Sequence, residues 1–337
     1  MIVNSYFPLQ KIVKVGIVGG AGYTAGELLR ILLHHAGAMV VFVHSNSNAG
    51  NPIWQIHTDL LGETDLVFSD SMDFNAVDVL FLCVGHGDAK KFISENTFPN
   101  SLKIIDLSQD FRWGANPSAT ESGWVYGLPE LNRSQIETAR RVANPGCFAT
   151  AIQLGLLPLA ATGALSDDVH VHALTGSTGA GQKPTTTTHF SWRNNNLSIY
   201  EAFSHRHLKE IGASVTFLQE NFDHEINFLP MRGNFSRGIF ASIYTKTSLC
   251  ESDLKRLYQD FFADAAFTHV ATANPDLKQV VGTNKCVIFV EKRGDKALII
   301  SMIDNLLKGA SGQAVENMNL MFGLPQKTGL GLKSIGF

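Results

Sequence analysis

At 337 residues, with 45% hydrophobic and 17% charged side chains, the chain has the composition of a globular protein and a length that suits two domains of about 150 residues each. A net charge of -3 and no block of lysine or arginine exclude an extended nucleic-acid or anionic-membrane surface, so the expected ligand is small. Four scattered cysteines (Cys83, Cys147, Cys250, Cys286) form no CxxC pair and the twelve histidines show no metal-ligand spacing, which predicts a reducing cytoplasm and no metal site.

Residues 1–10 read as a loose arm, and no apolar run approaches the roughly 18 residues that would span a bilayer. Residues 11–18 (KIVKVGIV) become continuously apolar, as a buried parallel strand does, and run directly into a glycine turn and a helix (GGAGYTAGELLRIL, 19–32). In that setting glycines let the backbone approach a pyrophosphate while the helix N-terminus supplies N–H donors. Gly19, Gly20, Ala21, Gly22, Tyr23, Thr24 and Ala25 are the candidate dinucleotide contacts. A second strand over 39–43 ends in His44-Ser45-Asn46-Ser47-Asn48, without the Asp or Glu that would hold a ribose 2'-hydroxyl. Ser45 and Ser47 would tolerate a 2'-phosphate, so NADP is favoured over NAD, against the alternative of a polar turn with no cofactor contact. Strands over 77–84 and 102–107, with a helix over 88–95 between them, continue a parallel doubly wound sheet. Their ends place Gly85 and His86 toward the cofactor and Arg112 where a guanidinium fork could clamp phosphate or carboxylate.

Asn144-Pro145-Gly146-Cys147 precedes an apolar run of good helix formers, 151–159, which puts Cys147 at a helix N-terminus. Unpaired N–H groups and the macrodipole there favour a thiolate, the form that attacks carbonyls; the competing reading is a small buried hydrophobe. From Val169 the pattern shifts to alternating strands (169–176, 225–228, 238–244, 286–291 and 297–303) with one helix over 252–264, as in a mixed or antiparallel sheet with one covered face. A final helix over 309–321 carries Ala314, Met318, Met321 and Phe322 as an amphipathic stripe.

Six segments occur in an order that resembles the N-acetyl-gamma-glutamyl-phosphate reductase family, relatives of aspartate-semialdehyde and glyceraldehyde-3-phosphate dehydrogenases. They are DLSQDFR (106–112), YGLPEL (126–131), NPGCFAT (144–150), GSTGAGQK (176–183), HRH (205–207) with Glu210-Ile211, and DNLLKGASGQAVENMNLMFG (304–323). The resemblance implies a Rossmann NADP-binding domain (1–147 and 308–337) and an α+β catalytic and oligomerisation domain (148–307), assembled as a homodimer or homotetramer. It also implies NADPH-dependent reduction of an N-acyl-glutamyl phosphate, with release of inorganic phosphate, through a thioester on Cys147. His207 is the first choice for acid–base and His205 the second. Ser177, Gly179 and Asn305 join the cofactor contacts, while Arg112, Asn144, Gly181, Lys183, Arg237 and Arg232 are placed on substrate, Arg237 at its α-carboxylate. Three departures stand out: Ala25 replaces a glycine, Asn46 stands where an arginine is common, and Met231, Arg232 and Asn234 alter the 228–238 segment. Arg232 could accept an additional carboxylate, such as that of an N-succinyl group. Aminoadipyl and aspartyl phosphates are alternative substrates, and a non-catalytic dinucleotide-binding protein is the reading outside enzymes.

Overall fold

A computed structural model describes residues 12–112 and 123–336; the expected N-terminal arm lies outside them. The first layer is built from β1 (Val13–Val18), α1 (Tyr23–Leu32), β2 (Ala38–His44), β3 (Val79–Leu82), α2 (Asp88–Glu95), β4 (Lys103–Asp106), β5 (Val125–Tyr126), α3 (Pro129–Thr138) and β6 (Arg141–Ala143). Its strands are parallel in the order β2-β1-β3-β4-β6-β5. The chain moves from β1 outward to β2 and then crosses to β3 on the other side, so the crevice outside the carboxyl ends of β1 and β3 is the topological switch point where such sheets bind ligands. The glycine turn and Gly85 follow those two strands.

The second layer contains α4 (Cys147–Ala161), β7 (Val169–Thr175), α5 (Phe190–Arg193), β8 (Ser198–Ile199), α6 (Leu208–Leu218), β9 (Ile226–Arg232), β10 (Ile239–Lys246), α7 (Glu251–Phe261), β11 (Thr268–Val270), β12 (Cys286–Arg293) and β13 (Lys296–Ile303), and α8 (Ser311–Met321) closes the chain. Its sheet runs β11-β12-β13-β10-β7-β9-β8; β10 pairs antiparallel with β7 and β13, whereas β7 and β9 are parallel, which makes it a mixed sheet. The alternation of β10 explains its orientation: Ile239, Ala241, Ile243 and Thr245 are buried, and the side chains between them are not. The covered face packs under α4, whose residues from Phe148 to Ala160 are all buried. A helix apolar on every side needs neighbours on every side, and α4 has β10, β12, β13, α6 and α7.

Two expectations are corrected here. The last helix is not a stripe: every residue from Ser311 to Met321 is buried, because α8 is inserted against α1 and α3 in the core of the first layer. Its polar side chains donate to distant elements, as in Asn317 Nδ2 to the Gly127 carbonyl at 2.9 Å, while the amide oxygens of Gln313 and Asn317 are buried without a partner. Helix α6 is absent from the predicted elements; it forms because Glu210, Ile211, Ser214 and Val215 line one buried face, packed on α4.

Candidate active site

Gly146 is the N-cap of α4, with extended backbone, and Cys147 is its first residue, half-buried and unpaired in a disulfide. The glycine is required by crowding: a Cβ there would lie 2.3 Å from His207 Nε2 and 2.8 Å from Arg112 Nη1. Gly309, from the loop after β13, closes the other side, where a Cβ would come within 2.8 Å of the Cys147 Cβ. His207 and Arg112 therefore pack against the residue just before the nucleophile candidate, and the 304–310 loop packs against the candidate itself.

The organising group beneath it is Glu210, which is 2% exposed. Its Oε2 accepts from the Gly146 N–H and the Tyr126 hydroxyl, both at 2.9 Å; its Oε1 accepts from Arg112 Nη1 at 3.2 Å and lies 3.9 Å from His207 Nε2. Gln153 and Ser214 extend the network behind Tyr126. Glu210 thus fixes the start of α4 and Arg112 with one carboxylate, which also faces the imidazole at 3.9 Å. Next to it, His205 Nδ1 accepts from the His207 N–H at 3.3 Å, the two rings are 4.7 Å apart, and His207 Nδ1 is buried without a partner.

Electrostatics separates sulfur from imidazole. Burial pushes the Cys147 thiol above its ordinary value; the Phe148 N–H and the Arg112 and Arg206 cations pull it back without winning. This corrects the expectation that the helix start alone yields a thiolate: desolvation of the charged form outweighs the terminal N–H groups. Burial, then the Arg112 charge, then His205 hold His207 well below the usual histidine value, and burial followed by Arg206 brings His205 to about 4. Both imidazoles are neutral at pH 7 and able to accept a proton. Arg206 is exposed, and among the described residues no carboxylate pairs with it. It acts on Cys147, His86, His205 and His207 alike.

The dinucleotide cradle fits its group. Gly19 has φ +82°, and a Cβ on it would lie 2.6 Å from the Cys83 carbonyl, so only glycine makes this turn. A Cβ on Gly22 would meet nothing closer than 4.0 Å, and α1 has no side-chain cap, which leaves space and free N–H donors for a phosphate. Ala25 is fully buried, so its extra methyl packs inward. At the end of β2, Ser45 turns in to accept from Asn48 at 3.1 Å, while Ser47 stays exposed and no carboxylate follows the strand.

The "Semialdehyde dehydrogenase, NAD binding domain" model matches residues 14–139, and the "Semialdehyde dehydrogenase, dimerisation domain" model matches 147–305. Proteins named N-acetyl-gamma-glutamyl-phosphate reductase from Azobacteroides pseudotrichonymphae and Bacteroides thetaiotaomicron are each 58% identical over 325 residues, covering 96% of this chain and 100% of theirs. One from Flavobacterium johnsoniae is 53% identical over 328 residues, with the same coverage. The chain belongs to the N-acetyl-gamma-glutamyl-phosphate reductase family. Aspartate semialdehyde dehydrogenase II of Vibrio cholerae, solved with ASA, shares the fold at TM-score 0.72 and 14% identity, over 93% of this chain and 98% of that one. The Candida albicans aspartate semialdehyde dehydrogenase, solved with NADP, does so at TM-score 0.68 and 12% identity, over 92% and 98%.

As a member of this oxidoreductase family with an NAD(P)-binding domain, the chain uses several predicted ligand residues in other ways. Arg112 is not a free clamp: besides Glu210 it donates to the Leu107 carbonyl at 2.8 Å and is 8% exposed. Asn144 is removed from substrate, since its amide donates to the Ala310 carbonyl and accepts from Asn317, which locks the approach to Cys147 onto α8. Arg237 is held between Glu27 of α1 and Asp304, so its guanidinium joins the two layers. Asn305 bridges the Gly238 N–H and the Thr178 hydroxyl and so supports the 176–180 loop from behind. Ser177 and Gly179 form that loop; Gly181 (φ +80°) and exposed Lys183 follow it, open to solvent. Gly85 is exposed after β3, and His86 accepts from the Gln109 N–H at 3.2 Å, a contact within the protein.

Glu210, Arg206 and Gly309 had no assigned role in the sequence reading. The family-like HRH with Glu210-Ile211 was the available signal for the first two. Glu210→Gln keeps the volume but removes the charge facing Arg112 and His207. It is expected to lower kcat by about 10²-fold, the scale of a misplaced acid–base group, with the dinucleotide KM little changed. Steady-state kinetics on folded protein checks this, and an unaltered kcat sinks the assignment.

Proposed function

We propose that the chain reduces N-acetyl-γ-glutamyl phosphate, or its close N-acyl analogue N-succinyl-γ-glutamyl phosphate, to the N-acylglutamate 5-semialdehyde and inorganic phosphate, with NADPH, through a thioester on Cys147. The observation that carries this reading is the half-buried thiol at the start of α4, directly after Gly146, which packs on a neutral His207 3.9 Å from Glu210, and within the field of the exposed Arg206. The Cys147 sulfur attacks the acyl-phosphate carbonyl as its proton passes to the neutral His207 imidazole. The C–O bond to phosphate breaks, the leaving oxygen takes a proton from water, and the resulting dianion is held by Arg206 and by the 176–183 loop with Lys183. His205 keeps the His207 backbone in place through its Nδ1. A bound nicotinamide supplies the hydride that takes the acyl carbon to the aldehyde level. When the C–S bond breaks, the sulfur leaves as thiolate and His207 returns the proton.

Gly19 to Ala25 and the N-terminus of α1 would hold the pyrophosphate, with Ser47 near the 2'-phosphate. The lack of a carboxylate after β2 supports NADP over NAD. Four free cysteines and the absence, among the described residues, of a helix long and apolar enough to cross a membrane accord with a cytoplasmic enzyme. Phe190, Leu197, Ile199 and Phe203, all more than half exposed within one segment of the second layer, support a homodimer or homotetramer.

The test is the reverse reaction: NADPH formation from the semialdehyde, NADP and inorganic phosphate. Phosphate-dependent turnover of the N-acylglutamate semialdehyde is expected. Preference for aspartate semialdehyde overturns the substrate, and no turnover with either returns the chain to a dinucleotide-binding role.

A further inference from the structure

Three arginines are accounted for: Arg112 by Glu210, Arg237 by Glu27 and Asp304, and exposed Arg206 by its charge acting on the Cys147 thiol. Two others are not. Arg232 ends β9, one strand from Thr175 and the 176–180 loop, and its guanidinium carbon lies 4.7 Å above the ring of Tyr200. Arg193, only 6% exposed, donates to the Arg232 and Thr187 carbonyls and to the Ser198 hydroxyl, so its guanidinium sits against the backbone of Arg232. Among the described residues neither meets a carboxylate, and the Nε of each is buried without an acceptor. A buried cation beside a half-buried one, neither with a counter-charge, is costly unless an anion joins them.

Their location points to the substrate. Tyr200, under Arg232, is 5.7 Å ring to ring from His205, and its hydroxyl is pushed up to about 12 by burial and then by the Cys147 charge, with Arg232 opposing. The charges acting most strongly on the sulfur itself are Arg112, Arg206 and Glu210. Arg232 is thus joined to the His205 side of the site through Tyr200, and it is not among the charges that act on the sulfur. The segment over the pair is under backbone strain: Asn195, Glu201 and Phe203, the non-glycine residues with positive φ among those described, all lie within it, and between them β8 pairs Ser198 with Arg232.

We infer that Arg232, supported by Arg193, binds a second carboxylate at the far end of the substrate's N-acyl group, so that the chain selects a dicarboxylic acyl such as N-succinyl over N-acetyl. This rests on the thioester reading above and refines its substrate. An N-acetyl group offers this position a methyl, which leaves the pair uncompensated; a succinyl group brings a carboxylate that a guanidinium fork can take in two parallel hydrogen bonds.

The test compares kcat/KM in the phosphate-dependent reverse reaction for N-acetyl-, N-succinyl- and the neutral, equally long N-succinamyl-glutamate semialdehyde, in wild type, Arg232→Met and Arg232→Lys. Wild type is expected to favour succinyl over both others by about 30-fold or more, the scale of one buried charge-assisted contact. Arg232→Met should lose that ratio and Arg232→Lys should retain part of it. Preference of the wild type for acetyl, or equal use of succinyl and succinamyl, overturns the inference without help from any variant. So does an equal loss on all three substrates in Arg232→Met, which would place the arginine on the shared α-carboxylate or on phosphate. If no N-acylglutamate semialdehyde reacts at all, the thioester reading itself has failed, a result distinct from acetyl turnover alone.

Discussion

Cys147→Ala is expected to remove turnover by a factor on the order of 10⁴ to 10⁶, as loss of a covalent nucleophile does, while dinucleotide binding and the melting temperature stay near wild type. The side chain is small and at the margin of the core, so its loss leaves little cavity; what disappears is the only route by which acyl transfer and reduction are split into two steps. The pH dependence follows from the same geometry. Burial, ahead of the Phe148 N–H and the two arginines, keeps the free thiol above its ordinary value, and His207 and His205 are neutral. Alkylation of Cys147 by iodoacetamide should therefore rise with pH, with a midpoint above the ordinary cysteine value of about 8.5. A midpoint well below that would mean a preformed thiolate–imidazolium pair, and the transfer of the thiol proton to a neutral His207 during attack would be wrong. Residual turnover above a hundredth of wild type in the alanine variant would remove Cys147 from the chemistry.

What was legible in the sequence was local. The turn from Gly19 to Gly26, the start of α4 at Cys147 and the limits of α2 are set by neighbours a few residues apart, and glycine, helix formers and apolar runs report them directly. What stayed hidden were the long-range partners of polar side chains, for one physical reason. A polar side chain at the end of a strand can face a ligand or another loop, and the deciding partner is far along the chain. Asn144 finds Ala310, Arg237 finds Glu27 and Asn305 finds Thr178. Glu210 was overlooked for the same reason, since its partners Gly146, Tyr126 and Arg112 belong to other elements. Helix α6 escaped because Gly212, Val215 and Thr216 lower its intrinsic propensity, so its packing on α4 decides the matter. In α8 an apparent stripe was only the apolar part of a helix buried on all sides.

The same long-range logic gives the largest expected stability effect, at Lys308. Its ammonium is fully buried, 2.9 Å from Glu130 of α3 and 2.9 Å from Glu316 of α8. Burial alone would lower the lysine pKa, but the two carboxylates reverse the direction and keep it charged. Burial, with Glu130 adding repulsion, raises Glu316 despite Lys308. Lys308→Met would leave two neighbouring carboxylates in the core with no cation, at a cost of about 3–5 kcal/mol, visible as a loss on the order of 10 °C in Tm. The sign of the pH effect is fixed: carboxyl groups with raised folded-state pKa stabilise below their unfolded value of about 4.3 and lose that contribution as pH rises. The variant's deficit should therefore shrink toward acidic pH. Adding Glu130→Gln and Glu316→Gln should recover much of the loss, because the penalty belongs to the uncompensated charges and not to the missing lysine packing. Unfolding by urea at several pH values measures both, and a deficit under about 1 kcal/mol, near the value of an exposed pair, would show the triad to be unimportant. The residue after Lys308 is Gly309, packed on Cys147, so loosening this triad should also lower kcat by letting the 304–310 loop drift from the sulfur.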